Sequence, residues 1–152
     1  YRYETSPVIA FDSGEPPCAE PSNYVPSSFP GCRAPHAWLE AGEQMGASMF
    51  DRLGRGFTLL SLGKAELATD AAAWVEAAVA TGVPLTLLRV DDPSVQVLYE
   101  CRFALVRPDQ HIAWRGDSLP AHDALMRQIV GRAPTEFGRK GWPPRANLSK
   151  TN

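Results

Sequence analysis

The stretch that most constrains the fold runs from Phe103 to Asp117 and predicts two short strands joined by a tight turn. Phe103–Val106 is an apolar run, and Ile112–Trp114 is a second. Residues 108–110 (Pro-Asp-Gln) supply turn chemistry, because proline presets φ at the first turn position and an aspartate carboxylate can accept from backbone N–H groups. Two apolar runs joined this tightly are expected to be antiparallel neighbours. They need further strands beside them and helices above them.

Size and charge narrow the class of protein. With 152 residues and 44% hydrophobic content, the chain can bury one core, so we expect one globular domain with less ordered ends. Its 15 basic and 17 acidic residues give a formal net charge of −2. This balance argues against a general nucleic-acid binder or a polybasic membrane-surface protein, since both need a clustered positive face.

The chain shows no membrane or export signal. No apolar run approaches the ~20 residues that span a bilayer, and no basic-then-apolar leader is visible at its start. The first residue is Tyr1 rather than methionine, from which we expect a piece of something longer or a processed chain.

The three cysteines, Cys18, Cys32 and Cys101, form neither a Cys-x-x-Cys motif nor a metal-ligand spacing. An odd number at scattered positions fits a reduced protein better than a secreted disulfide scaffold. We therefore expect structural thiols, a cytoplasmic location and no bound metal.

The two ends differ from the middle of the chain. Residues 1–11 alternate loosely and predict an edge strand, which we expect to trail from a part of the protein outside this chain. Residues 12–47 predict a linker and packing loop, extended over 12–31 where proline, serine and glycine are frequent. Residues 133–152 have the same character and predict an extended tail. The predicted compact domain lies between, over residues 48–132.

The first half of this domain predicts a hairpin, a helix and a strand. Residues 48–51 and 57–60 predict two hairpin strands around Gly54 and Gly56. Residues 70–80 predict a helix, because four apolar side chains fall on one face of a 3.6-residue period: Trp74, Val75, Ala78 and Val79. Thr69 or Asp70 would cap its start, and Gly82 would end it. Residues 85–90 form a continuous apolar run, which is typical of a strand covered on both faces.

The second half predicts a helical turn after Asp92, the hairpin described above, and a final helix. Ser118 would cap that helix and Gly131 would end it. The predicted order is β-(β)-α-β-α-β-β-α. A strand, a crossover helix and a second strand form a right-handed parallel unit, and a hairpin with a closing helix completes a thioredoxin-like α/β sandwich with a central mixed sheet. Periodicity alone also allows another small α/β sandwich.

A redox-active thioredoxin needs a Cys-x-x-Cys motif at the start of its first crossover helix, where the helix N-terminus lowers a thiol pKa. Residues 61–67 contain no cysteine, and Arg102-Phe103 lacks the proline that precedes the third central strand in thioredoxins. The sequence therefore predicts the fold without the redox chemistry.

Two longer elements resemble a known family: residues 29–39 read FPGCRAPHAWL, and residues 105–115 read LVRPDQHIAWR. Together with shorter matches at 1–3, 24–26, 48–51 and 56–60, they resemble the C-terminal part of FAD-dependent aromatic-ring hydroxylases. They are similar to the phenol and 2,4-dichlorophenol monooxygenase group, and the resemblance runs from Tyr1 to about Arg132. The resemblance implies a thioredoxin-like domain of an enzyme that reduces FAD with NAD(P)H and hydroxylates a phenolic ring.

The same resemblance implies that the flavin site lies upstream. A flavin pyrophosphate needs glycines at a strand-to-helix turn, and the Gly-x-Gly-x-x-Gly fingerprint is absent from these residues. Gly54 and Gly56 fall in the predicted hairpin, where glycine simply allows a positive φ. We expect this chain alone to bind no cofactor and to hold no catalytic residue, whereas the parent enzyme would use FAD and NAD(P)H.

Four residues are candidates for contact with the FAD and substrate domains of the same enzyme: Arg33, Pro35, His36 and Trp38. For His36, the favoured alternative is a structural histidine packed by aromatic rings and satisfied by the backbone. His36, Ser48 and Asp51 do not predict a catalytic triad, because nothing resembles a nucleophile elbow.

The remaining polar candidates lie in the 103–117 hairpin. His111 is expected to be solvated at its tip. Asp109 is expected to clamp the turn by pairing with Arg107 or Arg115 rather than to act as an acid or base.

Two functions stay open. The first is an accessory domain for packing or oligomerisation in such a hydroxylase, or one piece of a nicked enzyme. The second is a stand-alone thioredoxin-like protein that binds a small aromatic ligand or a partner without redox activity. In either case Trp38, Trp74 and Trp114 are expected to anchor the core or an interface.

Overall fold

The structure is a computed structural model that describes residues 2–3, 5–17, 25–39, 46–63 and 68–132, without the side chains of residues 68 and 69. The predictions for the 133–152 tail, for Cys18 and for residues 64–67 lie outside the described residues.

From residue 57 onward, the described elements follow the predicted α/β order. They are β1 (Trp38–Leu39), β2 (Ala47–Ser48), α1 (Met49–Arg52), β3 (Phe57–Leu62), α2 (Ala68–Val79), β4 (Leu85–Val90), α3 (Pro93–Tyr99), β5 (Phe103–Val106), β6 (Ile112–Gly116) and α4 (His122–Ile129). Strands β3 to β6 form a four-stranded sheet in the order β4-β3-β5-β6, and β1 pairs with β2. The predicted mixed α/β class is confirmed. The thioredoxin-like label remains an interpretation of this order.

Strands β3 and β4 are parallel, with α2 as their crossover. Trp74, Val75 and Ala78 of the predicted apolar face of α2 are buried, whereas Val79 is 45% exposed. Gly82 adopts the left-handed φ of 84° that its position predicts. The helix starts at Ala68, so the predicted cap at Thr69 or Asp70 is wrong.

Strand β4 is the edge strand of the sheet, and its Thr86 and Arg89 are exposed. Apolar side chains cover both of its faces, as predicted, because Leu85 and Leu88 belong to two separate buried clusters.

The predicted hairpin over 103–117 is confirmed. Strands β5 and β6 pair antiparallel, with a register shift between Leu105 and Val106. The backbone N–H of Arg107 donates to the carbonyl of His111 at 2.8 Å, which closes the turn. Gln110 takes a positive φ of 65° inside it.

Apolar side chains pack on both faces of the sheet. Successive residues of β3 point to opposite faces, and Leu59 and Leu60 accordingly belong to two separate buried clusters. Helices α2 and α4 pack in the Leu59 cluster, to which Leu125 contributes. Helix α3 packs in the Leu60 cluster, to which Tyr99 contributes. Ala10 also lies in the Leu59 cluster, so residues before the predicted domain start contribute to its core.

The predicted hairpin over residues 48–60 is wrong. Ser48 ends β2 and caps helix α1, because its hydroxyl accepts from the backbone N–H of Phe50 at 3.2 Å. A hydroxyl that satisfies a free helical N–H favours a helical turn over a strand. Gly54 and Gly56 therefore lie in the connection from α1 to β3. A side chain at Gly56 would collide with the carbonyl of Pro84.

Two further sequence predictions are corrected. Ser118 does not cap α4, which begins at His122 after Ala121. The edge strand predicted over residues 1–11 is not a regular strand in its described residues, where Arg2 forms only an isolated antiparallel bridge with Cys32. Within the predicted linker, Phe29 is buried, so that part packs on the domain.

Candidate functional site

The candidate contact residues lie on the loop that leads into β1. The N–H of Ala34 donates to the carbonyl of Gln110 at 2.8 Å, and the N–H of Met49 donates to the carbonyl of Ala37 at 3.0 Å. The pairing of Trp38 with Ser48 holds the far end. The loop is therefore fixed by backbone bonds to the hairpin turn on one side and to the start of α1 on the other.

His36 is exposed and lies among aromatic rings. Its ring centroid is 5.0 Å from that of Trp38 and 5.2 Å from that of Phe50, both in edge-on geometry. Such arrangements of rings stabilise by about 0.5–1.5 kcal/mol beyond their burial. The packing of His36 among aromatic rings agrees with the prediction of a structural histidine. The predicted polar partner was the backbone, whereas Nε2 of His36 lies 3.0 Å from Ser48 Oγ.

The His36–Ser48 contact links the loop to the start of α1. The Ser48 hydroxyl already accepts the cap bond from Phe50. Among the described side-chain contacts, no carboxylate orients the His36 ring, as a triad requires.

Arg33 connects this loop to the hairpin turn. Its guanidinium lies 5.0 Å from the centroid of the Phe50 ring and donates to Gln110 Oε1 at 2.7 Å. Its backbone forms an antiparallel bridge with His111. The two sequence elements that carry the family resemblance thus meet at Arg33.

Trp38 and Pro35 have opposite environments. Trp38 is 62% exposed. Pro35 is buried, and its carbonyl accepts a hydrogen bond from the Tyr99 hydroxyl at 2.9 Å. Pro35 therefore supports the loop from below and is not itself available for contact. Phe50, which the sequence did not single out as a contact residue, joins the group through the rings of its neighbours. We call Arg33, His36, Trp38 and Phe50 the contact surface.

The hairpin turn next to the contact surface is clamped as predicted. Arg107 donates two hydrogen bonds to the Asp109 carboxylate, at 3.1 and 3.0 Å. Burial raises the pKa of Asp109, but the Arg107 guanidinium outweighs it together with the His111 N–H, so the pKa lies below its usual value. This is a structural ion pair, as the turn-clamp interpretation predicts.

The expected solvation of His111 is wrong. Its side chain is 14% exposed, and its ring lies edge-on to Tyr3 with 4.7 Å between centroids. Nδ1 lies 2.9 Å from the Asp109 carbonyl oxygen. Tyr3 is more than a hundred residues away in the chain, so no local pattern predicts this contact.

Arg115 does not pair with Asp109. Its Nε donates to Asp12 at 2.7 Å, and its NH1 donates to the Ser28 hydroxyl at 2.8 Å. The guanidinium also lies 5.6 Å from the centroid of the Phe29 ring. Arg115 thereby ties the predicted linker to β6, a role that the sequence analysis missed.

Two other tryptophans, Trp74 and Trp114, lie with the Leu59 cluster rather than in the contact surface. Trp74 is 8% exposed, and its indole N–H donates to the carbonyl of Pro120 at 2.7 Å. Trp114 packs against the same cluster and is partly buried.

The described residues show no activated thiol. At the end of β3, the Gln96 side chain lies beside Gly63, with its Oε1 3.3 Å from where a Cβ on that glycine would stand. Burial raises the pKa of Cys101 to about 12 and also raises that of Cys32, so neither thiol is activated. The described part of the chain holds no group of metal-ligating side chains and no helix long and apolar enough to cross a membrane.

Known proteins match the chain along most of its length. The family model described as "Aromatic-ring hydroxylase, C-terminal" matches residues 27–133. The 2,4-dichlorophenol 6-monooxygenase of Cupriavidus pinatubonensis is 31% identical over 86% of this chain and 25% of its own length. Overall, the chain spans about a quarter of the length of the curated relatives it matches.

Solved structures agree with these matches. RebC-10x, in native and K252c-bound form, is 41% identical with a TM-score of 0.70, over 87% of this chain and 24% of that one. The flavin-dependent monooxygenase PieE, in complex with FAD and substrate, is 32% identical with a TM-score of 0.69, over 88% of this chain and 25% of that one. With a family model over most of its residues and the two predicted motifs joined at one surface, the chain belongs to the aromatic-ring hydroxylase C-terminal family.

Proposed function

We propose that this chain is the C-terminal accessory domain of an FAD-dependent monooxygenase that uses NAD(P)H to hydroxylate phenolic aromatic compounds. The family match at residues 27–133 supports this proposal, as does the small share of each relative that the chain spans. Its role is to pack on the FAD and substrate domains of the same enzyme. The chain alone binds neither FAD nor NAD(P)H and does not turn over.

The exposed Trp38 is the observation that carries the packing role. An indole with 62% of its surface exposed in this domain has a large apolar area to bury against a partner. Its neighbours already hold its position, so little conformational entropy is lost when a partner covers it. Tryptophan and arginine, both present in the contact surface, are enriched among residues that dominate interface energies.

The proposal includes a cytoplasmic enzyme without a nucleic-acid, membrane or metal partner. The near-neutral charge balance and the scattered cysteines support these points. A homo-oligomer is compatible with the same surface if the partner is a second subunit. A stand-alone binding protein is the alternative, and the experiment below separates it from an accessory domain.

The test compares Trp38→Ala with Val97→Ala in the longer protein and in the 152-residue chain. Val97 is 77% exposed on α3 and is a matched control, because it is apolar, exposed and outside the contact surface. Thermal unfolding and limited proteolysis report how firmly the domain is held. We expect Trp38→Ala to weaken domain packing in the longer protein by about 2 kcal/mol or more.

Neither substitution should greatly change the thermal unfolding or the proteolysis of the 152-residue chain, because both side chains are exposed there. Equal and small effects of Trp38→Ala and Val97→Ala in the longer protein would contradict the proposed packing surface. The stand-alone alternative gains support if Trp38→Ala instead abolishes binding of a small aromatic ligand to the isolated chain.

A further inference from the structure

The N-terminal residues lie along the outer edge of the sheet. We call the described residues 2–3 and 5–12 the N-terminal strap. The N–H of Ala10 donates to the carbonyl of Ala113 in β6 at 2.8 Å. The N–H of Tyr3 donates to the carbonyl of Gly31, whose own N–H donates to the carbonyl of Ile112, each at 2.8 Å. Backbone groups at this edge of β6 are thereby paired, which is how a sheet edge is protected.

The strap is also anchored by burial. Ile9 is 1% exposed and Ala10 is 2% exposed, and Ala10 belongs to the Leu59 cluster. Gln128 of α4, itself 3% exposed, donates from Nε2 to the carbonyl of Ile9 at 3.2 Å. A buried amide that binds the backbone of another segment fixes the position of that segment, because breaking the bond leaves polar groups unpaired.

Both ends of the strap carry a further polar or aromatic contact. At one end, Asp12 accepts from Arg115 Nε at 2.7 Å. At the other, the Tyr3 ring lies against His111, and the Arg107 guanidinium lies 5.3 Å from the centroid of the Tyr3 ring. His111 bridges to Arg33 of the contact surface.

We infer that the N-terminal strap is an ordered, integral part of this domain and that its first described residues are held beside the contact surface. The juxtaposition of Tyr3 with His111, and of His111 with Arg33, sets that position. The order of the strap is a property of this chain alone. Only the role of that surface in packing on other domains rests on the proposed function.

The test is a backbone ¹⁵N relaxation measurement on the 152-residue chain, with Ile9→Asp and Thr5→Asp variants. Thr5 is exposed within the same strap, so Thr5→Asp adds the same charge without burying it. In the wild type we expect order parameters of about 0.85 for residues 8–11, the value of rigid backbone. In Ile9→Asp they should fall below about 0.6, whereas Thr5→Asp should match the wild type.

Gln128→Ala serves as a second variant if Ile9→Asp unfolds the whole domain. It removes the bond to the Ile9 carbonyl and should lower the order parameters of residues 8–11 while α2 and β3 stay rigid. Values below about 0.6 for residues 8–11 in the wild type would overturn the inference. Because no upstream domain takes part, these results are independent of the tests of the proposed function.

Discussion

Arg33 donates a hydrogen bond of 2.7 Å to Gln110, and this bond joins two sequence elements that are more than seventy residues apart. The element at residues 29–39 supplies the exposed rings of the contact surface. The element at 105–115 supplies a hairpin turn whose Gln110 adopts a positive φ. The rigid turn thus supports the loop that carries Trp38, and the contact surface is preformed within the domain.

Replacing Trp74 should destabilise the 152-residue chain much more than replacing Trp38. Trp74→Ala opens a cavity in the Leu59 cluster and deletes the bond to Pro120, so we expect a loss of about 3–5 kcal/mol in the free energy of unfolding. Trp38→Ala should cost less than about 1 kcal/mol, because the side chain is mostly exposed. Urea unfolding followed by circular dichroism measures both. A Trp38→Ala loss as large as that of Trp74→Ala would contradict its placement at the surface.

Gly31 and Gly46 offer a matched pair for the docking of the strap. Both adopt a positive φ, of 91° and 82°, but a Cβ at Gly31 would collide with the backbone carbonyl of Tyr3, whereas one at Gly46 would meet open space. Gly46→Ala should lower the free energy of unfolding by about 1 kcal/mol, because alanine is strained at a positive φ. Gly31→Ala should lower the free energy of unfolding by at least about 2 kcal/mol more, since the backbone of Tyr3 must move away from the new Cβ. Equal losses in thermal or urea unfolding would show that Tyr3 does not lie against Gly31.

Asp109 should make the fold sensitive to acid. Its pKa is lower in the folded chain than its ordinary value of 3.8. A carboxyl of this kind stabilises the fold above its unfolded pKa and ceases to do so as the pH falls through its folded pKa. The wild type should therefore be more stable than Asp109→Asn at neutral pH, and the difference should shrink below about pH 4. The effect should be small, because the carboxylate is 38% exposed and is screened by water.

Urea midpoints of both proteins between about pH 7 and pH 3 measure this difference. A difference that stays constant across this range would mean that the Arg107–Asp109 pair makes no contribution linked to protonation.

Cys101 should resist alkylation in the folded chain. Burial raises the pKa of its thiol to about 12, despite the opposing charge of Arg115. Because the thiolate is the reactive form, iodoacetamide should modify Cys101 far more slowly in the native chain than in urea. Peptide-resolved mass spectrometry measures the two rates. A native rate equal to the unfolded one would show that the thiol is accessible.

The raised pKa of Cys101 also predicts that the fold is less stable at alkaline pH. A thiol whose pKa is raised by folding contributes its full stability below the unfolded pKa, and that stability is lost as the pH rises above 9.0 towards 12. Cys101→Ala should reduce this loss between about pH 8 and pH 11 relative to the wild type.

Elements with strong local signals could be predicted from the sequence. The hairpin of β5 and β6 follows from two apolar runs around a Pro-Asp turn, and the α2 face follows from helical spacing with Gly82 at its end. The family resemblance rests on residues 29–39 and 105–115, and the family match confirms it.

Elements that depend on distant contacts could not be predicted in this way. Ser48–Asp51 has the composition of a strand, but the Ser48 hydroxyl caps a short helix. His111 is enclosed because Tyr3 packs on it from the other end of the chain. Phe50 joins the contact surface only because the fold brings it under Arg33. The short helix is decided by a local hydroxyl cap and the other two cases by tertiary packing, and local periodicity encodes neither.

The central claim, that this chain is an accessory domain whose flavin chemistry lies elsewhere in a longer enzyme, is tested most directly by a visible absorption spectrum. The purified chain is incubated with excess FAD, desalted and scanned. We expect no residual flavin band, because the glycine fingerprint that holds a flavin pyrophosphate is absent from this sequence. A stoichiometric flavin band that survives desalting would contradict the central claim, since these residues would then form a flavin site of their own.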